Sequence, residues 1–105
     1  MRRPLLGLLI LGIAGCYPYE DYLADENAAT CDWWQRCDML GPLGYDDVDD
    51  CVSEAEGWDA QDPPDCEVYD AGAAKDCVEG LQQMACGEET PEYPAACAQA
   101  CSAAE

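Results

Sequence analysis

The sequence predicts an all-α protein, a small disulfide-stapled bundle of about four short helices. Three observations carry that prediction. Apolar residues recur at helical spacing in several segments, and no stretch alternates apolar and polar residues as a half-buried strand would. Nine cysteines are distributed through only 105 residues. That density suits an exported chain too small to be held by its apolar core alone.

The first fifteen residues stand outside the bundle. Arg2 and Arg3 form a positive start, and Leu5 to Gly15 form an apolar run of eleven residues. A bilayer span needs about 20. A core helix fits badly, because Gly7, Gly12 and Gly15 weaken it and no polar face interrupts the run. The layout is that of an export signal. Its end, Ile13-Ala14-Gly15-Cys16, resembles the lipobox of bacterial lipoproteins: an aliphatic residue, two small ones, then cysteine. The resemblance implies that the Cys16 sulfur takes a diacylglyceryl group and that signal peptidase II cuts before it. The new amino group is often acylated as well, and two or three chains anchor where one does not. It also implies a place in the bacterial envelope, and Tyr17 after the cysteine leans toward the outer membrane of a Gram-negative host. An ordinary secretory signal, with Cys16 a stray thiol, is the competing reading. Arg2-Arg3-Pro4-Leu5-Leu6 also loosely resembles a twin-arginine signal, with a very short n-region.

Lipid on Cys16 explains the odd cysteine count. Cys31, Cys37, Cys51, Cys66, Cys77, Cys86, Cys97 and Cys101 remain. An oxidising compartment turns them into four bridges, whose pairing the sequence does not choose. A cysteine metal site is disfavoured: there is no His and no C-x2-C pair. No cofactor is expected.

Residues 16–24 read as a lipid-anchored tether or as the start of the first helix, and 25–105 as the cysteine-rich domain. Over about 20–40, Trp33, Cys37 and Leu40 share a helical face, with Trp34 and Cys31 on its flank. Gly41-Pro42 is expected to stop that helix. In DDVDDCVSEAEG, Val48, Cys51, Val52 and Ala55 fall at i, i+3, i+4 and i+7. Asp46 or Asp47 caps the start, the other early acids suit the helix dipole, and Gly57 is expected to end it. Residues 58–66, WDAQDPPDC, read as a loop around Pro63-Pro64. Ala74, Cys77, Val78, Leu81, Met84 and Ala85 then mark the most regular helix, although Gly80 inside it costs about 1 kcal/mol. After a loop over 87–94, Pro94 starts a short last helix with Cys97 and Cys101 on one face.

These segments together resemble small cysteine-rich lipoproteins predicted in myxobacteria and related bacteria. The likeness rests on Cys-x5-Cys at 31 and 37, DDCV at 49–52, Cys-x-x-Tyr-Asp-Ala at 66–71, AAKDCVEGL at 73–81 and Pro-x-x-Cys-x3-Cys at 94–101. It covers about 70 residues and implies location and scaffold without an activity.

Beyond the signal, 23 acidic residues face only Arg36 and Lys75, a formal side-chain charge of −21. Nucleic acid is excluded as a partner, since phosphate contacts need Lys and Arg. Adhesion to anionic lipid through the protein surface is disfavoured too. The self-repulsion opposes compaction, and four bridges at roughly 2–4 kcal/mol each offset it.

Catalysis has little to work with. The absence of His removes the usual base of a hydrolytic triad, and Ser53 and Ser102 are the only serines. An acidic dyad carries little signal among 23 acids, so no catalytic residue is expected. Asp46 and Asp50, four apart on a helix, are weak candidates to share a calcium ion. The EF-hand spacing fails, because Val48 and Cys51 occupy the third and sixth positions from Asp46. A solvated, dipole-favoured helix start explains the same residues. Trp33 is expected in the core, while Trp34 and Trp58 are candidates for a recognition surface. The expected function is a non-catalytic binding or structural module of the envelope, held by lipid and meeting a protein or glycan. The alternative is an acidic calcium-binding surface protein, with a small hydrolase less favoured.

Overall fold

The structure, a computed structural model, describes residues 16–87 and 92–102. The export signal at 1–15 lies outside the described residues, as do 88–91 of the loop expected at 87–94. The chain is helical, as the spacing predicts. Helix α1 spans Tyr19–Arg36, the single turn α2 Leu40–Leu43, α3 Val48–Gln61, α4 Ala71–Gln82 and α5 Ala95–Ala100. Two-residue strands β1 (Val68–Tyr69) and β2 (Cys101–Ser102) pair antiparallel, with Val68 opposite Ser102 and Tyr69 opposite Cys101. Strands of two residues are too short to show alternation in a sequence.

Helix α1 is the centre, with α4 against one side and α3 against the other. It begins six residues before the domain start expected at residue 25. Of the two readings for 16–24, the helical one describes Tyr19 onward, and the tether does not. Tyr22 is 4% exposed and packs with Ala29, Ala74, Cys77, Val78, Leu81 and Ala100 in the larger core cluster. Tyr17, Tyr19 and Tyr69 pack on its edge. The Tyr69 hydroxyl donates to the Tyr17 carbonyl at 2.6 Å, and the Tyr17 hydroxyl donates to Asp25 at 2.6 Å.

Gly41-Pro42 does not end α1. The helix stops at Arg36 because Asp38 turns left-handed, with φ 58°. The Met39 N–H then reaches the Trp34 carbonyl at 2.8 Å, and the Asp38 N–H reaches Gln35. That is a Schellman termination on aspartate where glycine is usual. A second one follows at once on Gly44, φ 94°, where the Tyr45 N–H meets the Leu40 carbonyl. Gly41 and Pro42 therefore sit inside α2. The double turn separates Leu40 from Trp33: Leu40 joins Cys31 and Cys51 in a second, smaller cluster.

Helix α3 is capped by Asp47, whose carboxylate accepts from the Asp50 N–H at 2.8 Å. It runs through Gly57 to Gln61, so Gly57 is interior and Trp58 is helical rather than in a loop. The backbone at Gly57 is ordinary, and a Cβ there would meet nothing within 4 Å. Helix α4 buries Ala74, Cys77, Val78 and Leu81, as its spacing requires, and Asp70 caps it; Met84 and Ala85, expected on the same face, lie beyond its end at Gln82, and Ala85 is exposed. Gly80 has a specific reason: a Cβ there would lie 2.6 Å from the Pro94 ring. The glycine lets the start of α5 lie directly on α4.

Four bridges close the structure: Cys31–Cys51, Cys37–Cys86, Cys66–Cys101 and Cys77–Cys97. Cys97 and Cys101 do not share a helical face, since Cys101 lies in β2. The end of α1 also fastens the end of α4. Trp33 Nε1 donates to the Ala85 carbonyl at 3.2 Å, and Arg36 donates to the carbonyls of Met84 and Leu81. These bonds tie the last turn of α4 at Leu81, and the segment just past it, to the end of α1.

Candidate functional site

The chain has no Phe, and its nine aromatic rings are three Trp and six Tyr. Trp33 fills the core at 5% exposed, as expected. Only two aromatic side chains among the described residues are exposed: Trp58 at 61% and Tyr93 at 50%. Both lie on one groove between α1 and α3, a hollow of about 320 Å³. Trp34 and Tyr45 form part of its wall, along with Cys31 and Cys51. The Trp34 and Tyr45 rings lie parallel within 10°, their centroids 6.3 Å apart.

Position along the helices explains this meeting. Glu26, Asn27, Thr30, Cys31 and Trp34 fall at i, i+1, i+4, i+5 and i+8 on α1, one stripe facing α3. On α3, Cys51, Ala55, Trp58 and Asp59 form the answering stripe. The Cys31–Cys51 bridge clamps the two stripes together. Trp34 and Trp58, 24 positions apart, therefore become neighbours of one hollow, which the sequence alone does not reveal. The signal for Trp58 was the extension of the Val48-Cys51-Val52-Ala55 face by one more turn.

The groove is acidic as well as aromatic. Glu26 and Asp59 contribute carboxyl groups, and among the described residues no Lys or Arg lines it. Asn27 Nδ2 donates to Asp59 Oδ2 at 3.1 Å, which ties α1 to α3 and fixes that carboxylate. Burial raises the Glu26 carboxyl above its ordinary value, and the charge of Asp59 adds to this, while a hydrogen bond from the Tyr22 hydroxyl opposes it. The Tyr93 hydroxyl is raised by burial and then by Glu26.

A hollow of about 360 Å³ between α1 and α4 is lined instead by Asp25, Asp32, Gln82 and small apolar side chains. It offers no ring to grip a ligand. The Asp50 carboxylate serves the backbone, its Oδ2 accepting from the Asp46 main-chain N–H at 3.0 Å. Among the described residues, no three His, Cys, Asp or Glu side chains group as a metal site. Cys16 is a free, exposed thiol one residue before the packed Tyr17. No helix among the described residues is long and apolar enough to cross a membrane. No family model, no curated protein and no solved structure matches this chain.

Proposed function

We propose that this chain is a lipid-anchored, non-catalytic binding module of the bacterial envelope, on the outer membrane of a Gram-negative host. The lipobox-like Ile13-Ala14-Gly15-Cys16 supports the anchor. One observation carries the binding role: both exposed aromatic side chains of the described residues stand on a single groove, beside the half-buried Trp34 and Tyr45. Exposed rings collected in a concave site suit recognition, since aromatics dominate binding hot spots. On this reading the domain rides close to the bilayer. Only Cys16 precedes Tyr17, whose carbonyl is already held by Tyr69.

Capture from envelope extract tests it, with the full oxidised chain as bait and Trp58→Ala beside it. The expected result is retention of a defined envelope component by the parent and its loss with the variant. Equal retention by both, or none by either, sinks the proposal. The intact mass of the native protein tests the anchor: chain from Cys16 plus lipid is expected, and a lipid-free mass removes it.

A further inference from the structure

The groove's chemistry says more about its ligand, and this step rests on the binding-module reading. We propose that the groove between α1 and α3 receives basic side chains of a polypeptide, with a lysine or arginine head held by the Glu26 and Asp59 carboxylates and its stem against the Trp34 and Trp58 rings.

Charge is the first ground. Two carboxyl groups share the hollow, and among the described residues no basic side chain lines it to balance them. Beyond the signal the chain has only two cations. Arg36 is committed to Asp32 and to the end of α4, and Lys75 lies on α4, away from the groove. An entering cation therefore meets uncompensated negative charge partly withdrawn from water, where its attraction is stronger than at an open surface. The aromatic walls act in the same sense, because the face of an indole or phenol ring attracts a cation. The long apolar stem of Lys or Arg covers ring surface while its head stays polar.

Continuity is the second ground, and it favours a polypeptide over a single small amine. Two more hollows adjoin the groove and share residues with it. One, about 350 Å³, shares Trp58 with it and is lined by Asp50 and Glu54. Another, about 210 Å³, places Glu20 and Glu56 beside Asp59 and Asn27. Acidic hollows adjoining the central one form a track for successive basic side chains. A neutral sugar fits less well. Its hydroxyls could bond the carboxylates and the hydroxyls of the lining, but it would leave the two negative charges of Glu26 and Asp59 uncompensated, which a cation does not.

The test uses the full chain with its bridges intact and a capped tri-lysine peptide as probe, at about 0.15 M salt to screen diffuse attraction. Calorimetry and tryptophan fluorescence give the affinity. Trp58→Ala and Trp34→Ala leave the net charge unchanged, and each is expected to weaken tri-lysine binding about tenfold. Trp58 is 61% exposed, so its loss leaves the fold intact, which near-UV dichroism checks. Glu26→Gln is expected to weaken binding more than Glu79→Gln, which removes the same charge from the exposed side of α4. Unchanged affinity in both tryptophan variants would mean that the acidic surface as a whole holds the peptide, and the inference falls. Binding of a cellotriose or N-acetylglucosamine trimer through Trp58, without tri-lysine binding, overturns the inference and leaves the binding module standing. Failure of every probe, together with failure of the extract capture, removes both.

Discussion

The two sides of α1 are held by different means. Toward α4 and α5, seven buried residues form a continuous cluster, Leu81 and Ala74 fully covered, with Tyr17, Tyr19, Tyr69 and Met84 among the side chains packed at its edge. Toward α3, the buried cluster is Cys31, Leu40 and Cys51 alone. Helix α3 buries a single residue, and that residue is a bridge cysteine. A chain without Phe, carrying so many acids, has apolar side chains enough for one packed interface. The second interface is held by a covalent bond, one aspartate–asparagine hydrogen bond and a few rings at its margin. A gap that apolar side chains do not fill is then left open as a groove. Sparse packing and the candidate binding site are one structural fact.

Breaking the packed side gives the largest expected effect. Leu81→Ala removes a fully buried side chain and is expected to cost about 2–5 kcal/mol. Denaturant unfolding followed by helical dichroism checks it, and every helix is expected to melt earlier together. A cost under about 1 kcal/mol would mean that the bridges, and not this core, carry the fold.

Breaking the bridged side has a smaller and local effect. Replacing Cys31 and Cys51 together by Ala opens a loop of sequence separation 20, worth about 3 kcal/mol. Hydrogen exchange is expected to show α3 amides losing protection while α4 amides keep theirs. The groove is expected to lose its ligand along with α3. Equal loss of protection in α4 would abolish the contrast between the two sides.

The smallest effect sharpens the contrast through pH. Glu26 lies between the two sides, bonded to Tyr22 of the core and lining the groove. Its folded carboxyl holds its proton to a higher pH than the unfolded one, chiefly because it is buried. Between those two values the unfolded chain binds fewer protons, so this residue's contribution to stability falls as pH rises. Glu26→Gln is expected to flatten that fall above the ordinary carboxylate range. Melting temperature against pH, compared with the parent, reads it. Parallel curves would mean that the Glu26 proton is not linked to folding.

Much of the fold was legible in local spacing. The α4 face at Ala74, Cys77, Val78 and Leu81 follows the 3.6-residue period and is buried in the structure, although Met84 and Ala85, which continue the same spacing, lie past the helix end. The caps at Asp47 and Asp70 obey the same local rules. Helix ends were less legible. Gly57 has a helix-ending identity, yet α3 passes through it, because one glycine costs only about 1 kcal/mol and the turns on either side outweigh it. Asp38 ends α1 although its residue type gives little warning, because the left-handed turn it takes is ordinarily glycine's. Of the groove, Trp34 and Trp58 were legible singly as candidate surface rings. Their meeting, and the roles of Glu26, Asp59, Tyr45 and Tyr93, were not.

By itself the sequence determined the helical class, the even set of eight domain cysteines and the acidic charge, because composition and short-range periodicity act within a few residues of each position. The tertiary structure decided which cysteines pair, that Gly80 must admit Pro94, and that two distant tryptophans share a groove. Those outcomes depend on how whole helices cross. Crossing is settled by the sum of burial over faces that lie far apart in the chain, which no local pattern records.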